Sequence, residues 1–253
     1  MSDGIYSSFA KVYDSLNASY DYCSLATFLS NEIKKFEKTQ TSLVLDLGCG
    51  TGKITFALRE KGYDMTGVDF SDDMLSFARE ECINKNINDI LWLCQDMRAF
   101  ELYGTVDACV CTLDCINYLT KFDDVKKCFS LVHNYLIPDG LFIFDINTPY
   151  RFENVYANND YILEDGNALL AWRNNYNPKS KICNFYLSVF AENKNGTYTR
   201  FDEVQKEKCY SKKQIEAALI SCGFEILAEY GDINLKKCDN DDEKWYFVAR
   251  NIK

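Results

Sequence analysis

The sequence has 253 residues, a hydrophobic content of 47% and a formal net charge of −10, so it can bury a substantial core but offers no basic face for a nucleic acid. It contains no apolar stretch long enough to span a membrane and no N-terminal secretion signal, which predicts a cytoplasmic protein. We expect a small-molecule partner, and a monomer or a homodimer.

Twelve cysteines are scattered along the chain with no Cys-x-x-Cys pair and a single histidine. Structural zinc sites usually need such pairs at short spacing, and a disulfide framework needs an oxidising compartment. We therefore expect most of these cysteines to be small buried apolar residues, and we expect no metal site.

Helices and short apolar strands alternate through the first part of the chain. The hydrophobic pattern predicts, in chain order, helices at 6–17 and 22–38, strand 42–47, helix 53–61, strand 63–68, helix 72–84, strands 90–94 and 106–111, helix 122–136 and strand 140–146. Apolar strands separated by helices are typical of a parallel sheet that is covered on both faces. The pattern therefore predicts an α/β fold.

This alternation stops near Asn147. Three segments rich in β-branched and aromatic residues follow, at 161–176, 182–193 and 197–209, with a hairpin turn predicted at 193–196. A helix at 211–222 and strands at 224–231 and 244–250 complete the chain. We interpret residues 1–149 and 210–253 as a core domain and residues 150–209 as an inserted antiparallel β subdomain.

The first strand runs into a glycine turn, LDLGCGTG, in which Gly48, Gly50 and Gly52 follow Asp46. A dinucleotide fingerprint, G-x-G-x-x-G, would place its third glycine where this chain has Lys53. The Asp46 carboxylate would repel a pyrophosphate, but it would suit a ligand that carries an ammonium or a sulfonium group.

Carboxylates also stand at the ends of the next two strands. Asp69 ends the second strand, where a carboxylate can accept hydrogen bonds from both ribose hydroxyls. Asp96 follows the third strand, in a position to accept from the exocyclic amine of adenine. The pattern indicates a ribose, an adenine, a cationic tail and no phosphate, which describes S-adenosylmethionine.

With LDLGCGTG, GVDFSDDML, CQDM and an L-x-P-x-G turn before strand 140–146, the chain resembles the class I S-adenosylmethionine-dependent methyltransferases. It resembles more closely a bacterial subgroup with YSSFAKVYD, CTLDCINYL and RFDE, and more loosely the amino-sugar and glycine N-methyltransferases, which carry comparable β inserts. The resemblance implies a Rossmann-like, mostly parallel sheet with an antiparallel last strand. It also implies S-adenosylmethionine as cofactor and S-adenosylhomocysteine as product.

The resemblance further implies contacts with the cofactor. The glycine turn would pass under the methionine part, and Asp46 would lie beside it. The other implied contacts are Asp69 on the ribose, Phe70 and Met74 on the adenine ring, Asp96 and the Met97 backbone at the adenine edge, and the Leu113 carbonyl at the ammonium. Two alternatives stay open: Asp69 could only cap the following helix, and Met74 could be plain core.

Tyr6, Phe9 and Tyr13 fall on one face of the predicted N-terminal helix. They could dock this helix on the sheet. Alternatively, the hydroxyl of Tyr6 or Tyr13 could close over the cofactor, with Tyr13 close enough to the transferring methyl group to act in catalysis.

Three polar residues follow the fourth strand at the edge where open α/β sheets place their sites, namely Asp114, Asn117 and Tyr118. Asp114 is the best candidate for a general base, although it could instead cap the turn around Cys115. Asn117 and Tyr118 are candidate substrate contacts.

Trp172 and Arg200 are candidate substrate contacts in the insert. The aromatic residues there could equally form a small core of their own, and Arg200 could form a surface ion pair within RFDE. Gln205 stands where the bacterial subgroup often has a histidine, so a catalytic role cannot be transferred at that position. His133 falls late in a helix and is a poor candidate for a base.

Three functions compete. The first is transfer of a methyl group to a nitrogen or oxygen of a small molecule, with the insert as a lid over the site. The second is methylation of tRNA or protein. The acidic composition of the chain argues against an RNA substrate. The third is a non-catalytic cofactor binder or a nicotinamide-dependent dehydrogenase. The dehydrogenase is disfavoured, because its cofactor would place a pyrophosphate beside the Asp46 carboxylate.

Overall fold

The computed structural model describes residues 20–165, 168–193 and 195–253. The helices within these residues are α1 (Tyr22–Phe36), α2 (Lys53–Glu60), α3 (Asp72–Lys85), α4 (Phe122–Tyr135) and α5 (Lys212–Ser221). The strands are β1 (Leu43–Leu47), β2 (Asp64–Asp69), β3 (Leu91–Cys94), β4 (Val106–Cys111), β5 (Leu136–Asn147), β6 (Asp160–Asp165), β7 (Ala168–Asn177), β8 (Ile182–Glu192), β9 (Tyr198–Lys208), β10 (Phe224–Tyr230) and β11 (Lys244–Asn251). The predicted helix at 6–17 lies outside the described residues.

Seven of the described strands form one sheet in the order β10-β11-β5-β4-β1-β2-β3. β1 pairs in parallel with β2 and β4, whereas β11 runs antiparallel to both of its neighbours, β5 and β10. The predicted Rossmann-like fold, mostly parallel with an antiparallel last strand, is therefore confirmed. The carboxyl ends of the parallel strands meet at one edge of the sheet, where such folds bind their ligands.

Helices cover both faces of this sheet because successive strand residues point to opposite sides. Val44 packs with α1 and α2 on one face, while Leu45 packs with α4 and α5 on the other. α1 begins at a capped end, since the Asp21 side chain accepts a hydrogen bond from the Ser24 N–H at 2.9 Å. In the described part of the chain, no helix has the length and apolar character needed to cross a membrane.

The other four strands form an antiparallel sheet in the order β6-β7-β8-β9. The predicted segment 161–176 contributes two of them, because β6 and β7 pair with each other. This sheet has a core of its own, built around Phe152, Tyr156, Phe185 and Leu187. Many aromatic residues of the insert therefore serve to pack it.

The boundaries differ from the sequence prediction near β5. This strand begins at Leu136 instead of residue 140, because Leu136 already pairs with Val106 before the register shifts and Ala108 pairs with Leu141. The structure contains two short helical turns: a 3-10 turn at Cys115–Tyr118, where the sequence predicts a turn around Cys115, and a π-helical turn at Arg151–Tyr156, which has no counterpart in the prediction. Both lie where the large sheet meets the small one.

Candidate active site

A cavity of about 600 Å³ lies at the carboxyl ends of the parallel strands. The predicted cofactor residues that border it are Asp46, Gly48, Gly50, Asp69, Phe70, Met74, Asp96, Met97 and Leu113. Residues 203–206 of β9 border the same cavity, so the small sheet forms part of its wall. The fold thus brings distant parts of the sequence together around one space.

The glycine turn lies directly against the cavity. Gly48 has a φ of +79°, and a Cβ atom on it would come within 2.6 Å of the Cys115 sulfur. Glycine is therefore required at this position for both its conformation and its size. Gly52 does not border the cavity; it precedes α2, and a side chain on it would meet the Trp92 ring at 2.5 Å.

Asp69 joins the glycine turn to the end of β2. Its two carboxylate oxygens accept backbone hydrogen bonds from the Gly50 N–H and the Ser71 N–H, each at 2.8 Å. Ser71, and not Asp69, caps α3 by accepting a hydrogen bond from the Met74 N–H at 3.2 Å. Each Asp69 oxygen keeps a second lone pair that could accept a ribose hydroxyl. Burial raises the pKa of this carboxyl above its ordinary value.

Asp46 is a buried carboxyl group in the wall of the cavity, with 2% of its surface exposed. The Thr55 hydroxyl donates a hydrogen bond to it at 2.6 Å. Burial raises the pKa of Asp46 to about 7, and the nearby Asp69 carboxylate adds to this effect. A cationic ligand would stabilise the ionised form of Asp46, whereas a pyrophosphate would be repelled by it.

The predicted adenine contacts border the cavity. Phe70 is among them and is 75% exposed. Met74 also borders the cavity and packs against the core of the small sheet, so its two predicted roles are compatible. Asp96 accepts hydrogen bonds from the Arg98 guanidinium, including one from Nε at 2.9 Å, and this partner lowers the pKa of Asp96. Any bond to adenine must use the lone pairs that Arg98 leaves.

Leu113 and Asp114 adopt left-handed backbone conformations in succession, with φ values of +60° and +59°. Non-glycine residues hold this conformation only where the surroundings enforce it. The buried Asp145 carboxylate accepts hydrogen bonds from the Leu113 N–H at 2.8 Å and the Asp114 N–H at 2.7 Å. Lys244 then bridges Asp145 and Asp114, at 2.9 and 2.8 Å. Asp145 and Lys244 escaped the sequence analysis because no local motif marks them.

Asp114 is less suited to act as a base than its position in the sequence indicates. It does not border the cavity, and its side chain is paired with Lys244. Burial favours the neutral acid, but Lys244, together with Arg151 and a hydrogen bond with Glu207, lowers the pKa of Asp114 overall. Burial and the Asp114 carboxylate instead raise the pKa of the neighbouring Glu207 well above its ordinary value.

Asn117 and Tyr118 have different surroundings. Asn117 is fully buried, where its Nδ2 donates to the Lys208 carbonyl at 2.9 Å and its Oδ1 accepts from the Asn147 N–H at 2.9 Å. It therefore ties the 3-10 turn to the ends of β5 and β9. Tyr118 borders the cavity and donates a hydrogen bond to Gln205 Oε1 at 2.9 Å.

The remaining candidates lie away from the cavity or outside the described residues. Trp172 packs against the core of the small sheet. Arg200 is exposed on β9 and pairs with Asp202 at 2.9 Å. Neither side chain borders the cavity. Tyr6 and Tyr13 lie outside the described residues, so their predicted roles stay predictions.

The cysteines and the histidine form no recognisable metal centre. All twelve cysteines are free thiols, and seven of them are buried. Within residues 20–165, 168–193 and 195–253, no three His, Cys, Asp or Glu side chains are grouped as metal ligands. His133 lies in the last turn of α4, where its ring packs edge-on against Phe224.

Comparison with known proteins agrees with this geometry. Residues 44–140 match a family described as a methyltransferase domain. The chain is 30% identical to YqeM of Bacillus subtilis (strain 168), which is named as a methyltransferase, over 98% of both chains. It is also 30% identical to an S-adenosylmethionine-dependent methyltransferase of Clostridium acetobutylicum ATCC 824 of known structure, with a TM-score of 0.88 over 98% of this chain and 99% of that one.

A more distant structure shows the same fold with a ligand. CalS10 of Micromonospora echinaspora, an amino pentose methyltransferase solved with S-adenosylmethionine bound, is 18% identical and superimposes with a TM-score of 0.74 over 96% of each chain. The sequence relatives, the shared fold and the cavity around the glycine turn lead to one conclusion. The chain belongs to the class I S-adenosylmethionine-dependent methyltransferases.

Proposed function

We propose that the protein transfers the methyl group of S-adenosylmethionine to a nitrogen or oxygen of a small molecule and releases S-adenosylhomocysteine. The observation that carries this proposal is the single cavity that both the glycine turn and β9 border. Its volume of about 600 Å³ is typical of sites that enclose small ligands. A flat, open sheet edge would instead favour a macromolecular acceptor.

Different residues of the cavity would bind different parts of the cofactor. S-adenosylmethionine, when bound, supplies a methyl group on a positively charged sulfur that a nucleophile can attack in line. Asp69 would hold the ribose, Phe70 would pack on the adenine, and Asp46 would face the charged methionine part. The Leu113 carbonyl would accept from the ammonium. The protein then contributes orientation and exclusion of water more than covalent chemistry.

We further propose that residues 150–209 act as a lid on a core made of residues 1–149 and 210–253. Two contacts support this assignment. Residues 203–206 of β9 form a wall of the cavity, and Asn117 bonds the core to the end of β9 at 2.9 Å. A lid held in this way would close the acceptor side of the site while leaving the adenosine side to the core.

Two further observations support a small acceptor over tRNA or protein. The net charge of −10 disfavours a polyanionic substrate. CalS10, which shares the fold at low sequence identity, is an amino pentose methyltransferase. Both observations favour a small-molecule acceptor.

Labelled methyl transfer would test this proposal. The protein is incubated with S-adenosylmethionine carrying an isotopic methyl label and an extract of Bacillus subtilis cells lacking YqeM, and the products are separated by size. We expect the label in the small-molecule fraction, because β9 forms a wall of a cavity of about 600 Å³. The Asp69→Ala variant serves as the control for background transfer.

Label in tRNA or protein would contradict the proposal and support a macromolecular acceptor. No transfer by a protein that binds the cofactor would support a non-catalytic binder.

A further inference from the structure

The inner face of β9 carries a row of polar side chains. Because strand residues alternate between faces, Glu203, Gln205 and Glu207 point to the same side. Their partners on β8 are Leu187, Phe185 and Cys183, which belong to the core of the small sheet. Polar side chains on the buried face of a strand need hydrogen-bond partners, and these three side chains differ in how far theirs are supplied by the protein.

The protein itself satisfies the two residues nearest the end of β9. Glu207 accepts a hydrogen bond from Asn147 Nδ2 at 2.9 Å. Gln205 accepts from the Tyr118 hydroxyl at 2.9 Å and donates through Nε2 to Glu203 Oε1 at 2.8 Å. The chain of donors from Tyr118 through Gln205 therefore fixes one oxygen of Glu203 and sets the orientation of its carboxyl group.

The other oxygen of Glu203 has no such partner. Oε2 is buried and forms no hydrogen bond with any described residue, although Glu203 borders the cavity. Leaving a buried carboxylate oxygen unbonded is unfavourable, so a ligand with a hydrogen-bond donor would stabilise the site. Burial also raises the pKa of Glu203, against a smaller opposing effect of Gln205.

The carboxyl group of Glu203 has no cation of the protein paired with it. Lys53, Arg98 and Lys206 border the cavity, and Arg98 pairs with Asp96 at 2.9 Å and lies 3.6 Å from Asp124. Among the described residues, no Lys or Arg forms an ion pair with Glu203, so a basic donor would suit this carboxyl group. Asp46 and Asp69 lie at the glycine turn, so Glu203 is the carboxyl group that β9 brings to the cavity.

We infer that Glu203 binds the methyl acceptor and that this acceptor is a primary or secondary amine. The inference rests on the proposed function and specifies its acceptor. Glu203 accepts a hydrogen bond from the attacking nitrogen, and takes a proton from it if the amine arrives as an ammonium ion. Glu203 is thus assigned as a catalytic residue, in place of Asp114.

An ammonium acceptor gives one proton to the Glu203 carboxylate and becomes a neutral amine. The nitrogen lone pair forms the new N–C bond as the C–S bond breaks. The electron pair of the broken C–S bond remains on the sulfur of S-adenosylhomocysteine. The product leaves as a methylammonium ion, and the proton on Glu203 passes to solvent. A hydroxyl acceptor carries no positive charge, so its hydrogen bond to Glu203 would be weaker than that of an ammonium group.

Binding of two analogues tests this inference without knowledge of the acceptor. Sinefungin carries a primary amine on the carbon that replaces the methylated sulfur, so its amine projects toward the acceptor side. S-adenosylhomocysteine has no group there. Calorimetry gives the ratio of the two affinities for the wild-type protein and for Glu203→Gln, which keeps the shape and removes the charge. We expect the sinefungin preference to fall about tenfold or more in Glu203→Gln.

Asp202→Asn is the matched control. Asp202 is the adjacent carboxylate on the outer face of β9, where it accepts from Ser188 at 2.6 Å. We expect this variant to keep the wild-type ratio. An equal ratio in wild type and Glu203→Gln would overturn the inference, as would an equal fall in Asp202→Asn. If the wild-type protein does not bind S-adenosylhomocysteine, the proposed function is contradicted instead. Unchanged affinity of Glu203→Gln for S-adenosylhomocysteine shows that this variant is folded.

Discussion

Replacement of Asp69 by alanine is expected to lower the affinity for S-adenosylhomocysteine at least about tenfold, because two hydrogen bonds from ribose hydroxyls to a carboxylate contribute about 1.5–3 kcal/mol each. A second effect should also lower the affinity. Asp69 also accepts from the Gly50 and Ser71 N–H groups, so its removal releases the glycine turn from β2. Isothermal calorimetry measures the affinity directly.

Asp107→Ala is the matched control for this change. Asp107 also accepts two backbone hydrogen bonds, from the Ser42 and Leu43 N–H groups at 2.8 Å, but at the opposite end of the sheet. Its loss removes a similar pair of bonds away from the cavity, so the affinity should stay within a few-fold of wild type. Equal affinities in wild type and in a folded Asp69→Ala would show that Asp69 only holds the turn.

Replacement of Lys244 by methionine is expected to lower the free energy of unfolding by about 3–5 kcal/mol, because it leaves two carboxylates without their shared cation. Burial opposes the charged form of Lys244, but Asp114 and Asp145 outweigh it and raise its pKa. Without Lys244, Asp145 should hold the strained Leu113–Asp114 turn less firmly. Cofactor affinity should therefore fall together with stability, as measured by urea unfolding and calorimetry.

Lys38→Met separates this effect from the general loss of an ion pair. Lys38 and Asp139 lie 2.7 Å apart but are both about half exposed. Exposed pairs contribute about 1 kcal/mol or less, so this variant should be nearly as stable as wild type. Similar stabilities for the two variants would contradict the role assigned to Lys244.

The cofactor side of the site could be predicted from the sequence because its chemistry is local. Asp46, the glycine turn and Asp69 follow strand ends directly, and the parallel sheet brings adjacent strand ends together. The alternation of short strands and helices also fixed the order of the elements. Long-range partners leave no local signal: Lys244 lies 130 residues beyond Asp114, yet it is the first among the groups that lower the pKa of that carboxyl group.

The acceptor side shows a second limit. RFDE appears in the sequence as one charged motif, from which Arg200 is the more conspicuous candidate. Pairing of β8 with β9 divides the motif, since Arg200 and Asp202 bond to each other on the exposed face while Glu203 turns to the cavity. Strand register decides which face a side chain occupies, and neither composition nor spacing reveals it.

Calorimetric titration with S-adenosylmethionine, and with NAD as comparison, tests the central claim that this cavity holds a cationic cofactor without phosphates. We expect micromolar binding of S-adenosylmethionine at pH about 8 and no measurable binding of NAD. The pKa of Asp46 is raised to about 7 in the free protein, so its carboxyl group must lose a proton before it can pair with the cation. Affinity should fall by up to about tenfold per unit as the pH drops below this value, and Asp46→Asn should abolish that dependence. Binding of NAD with comparable affinity would contradict the account.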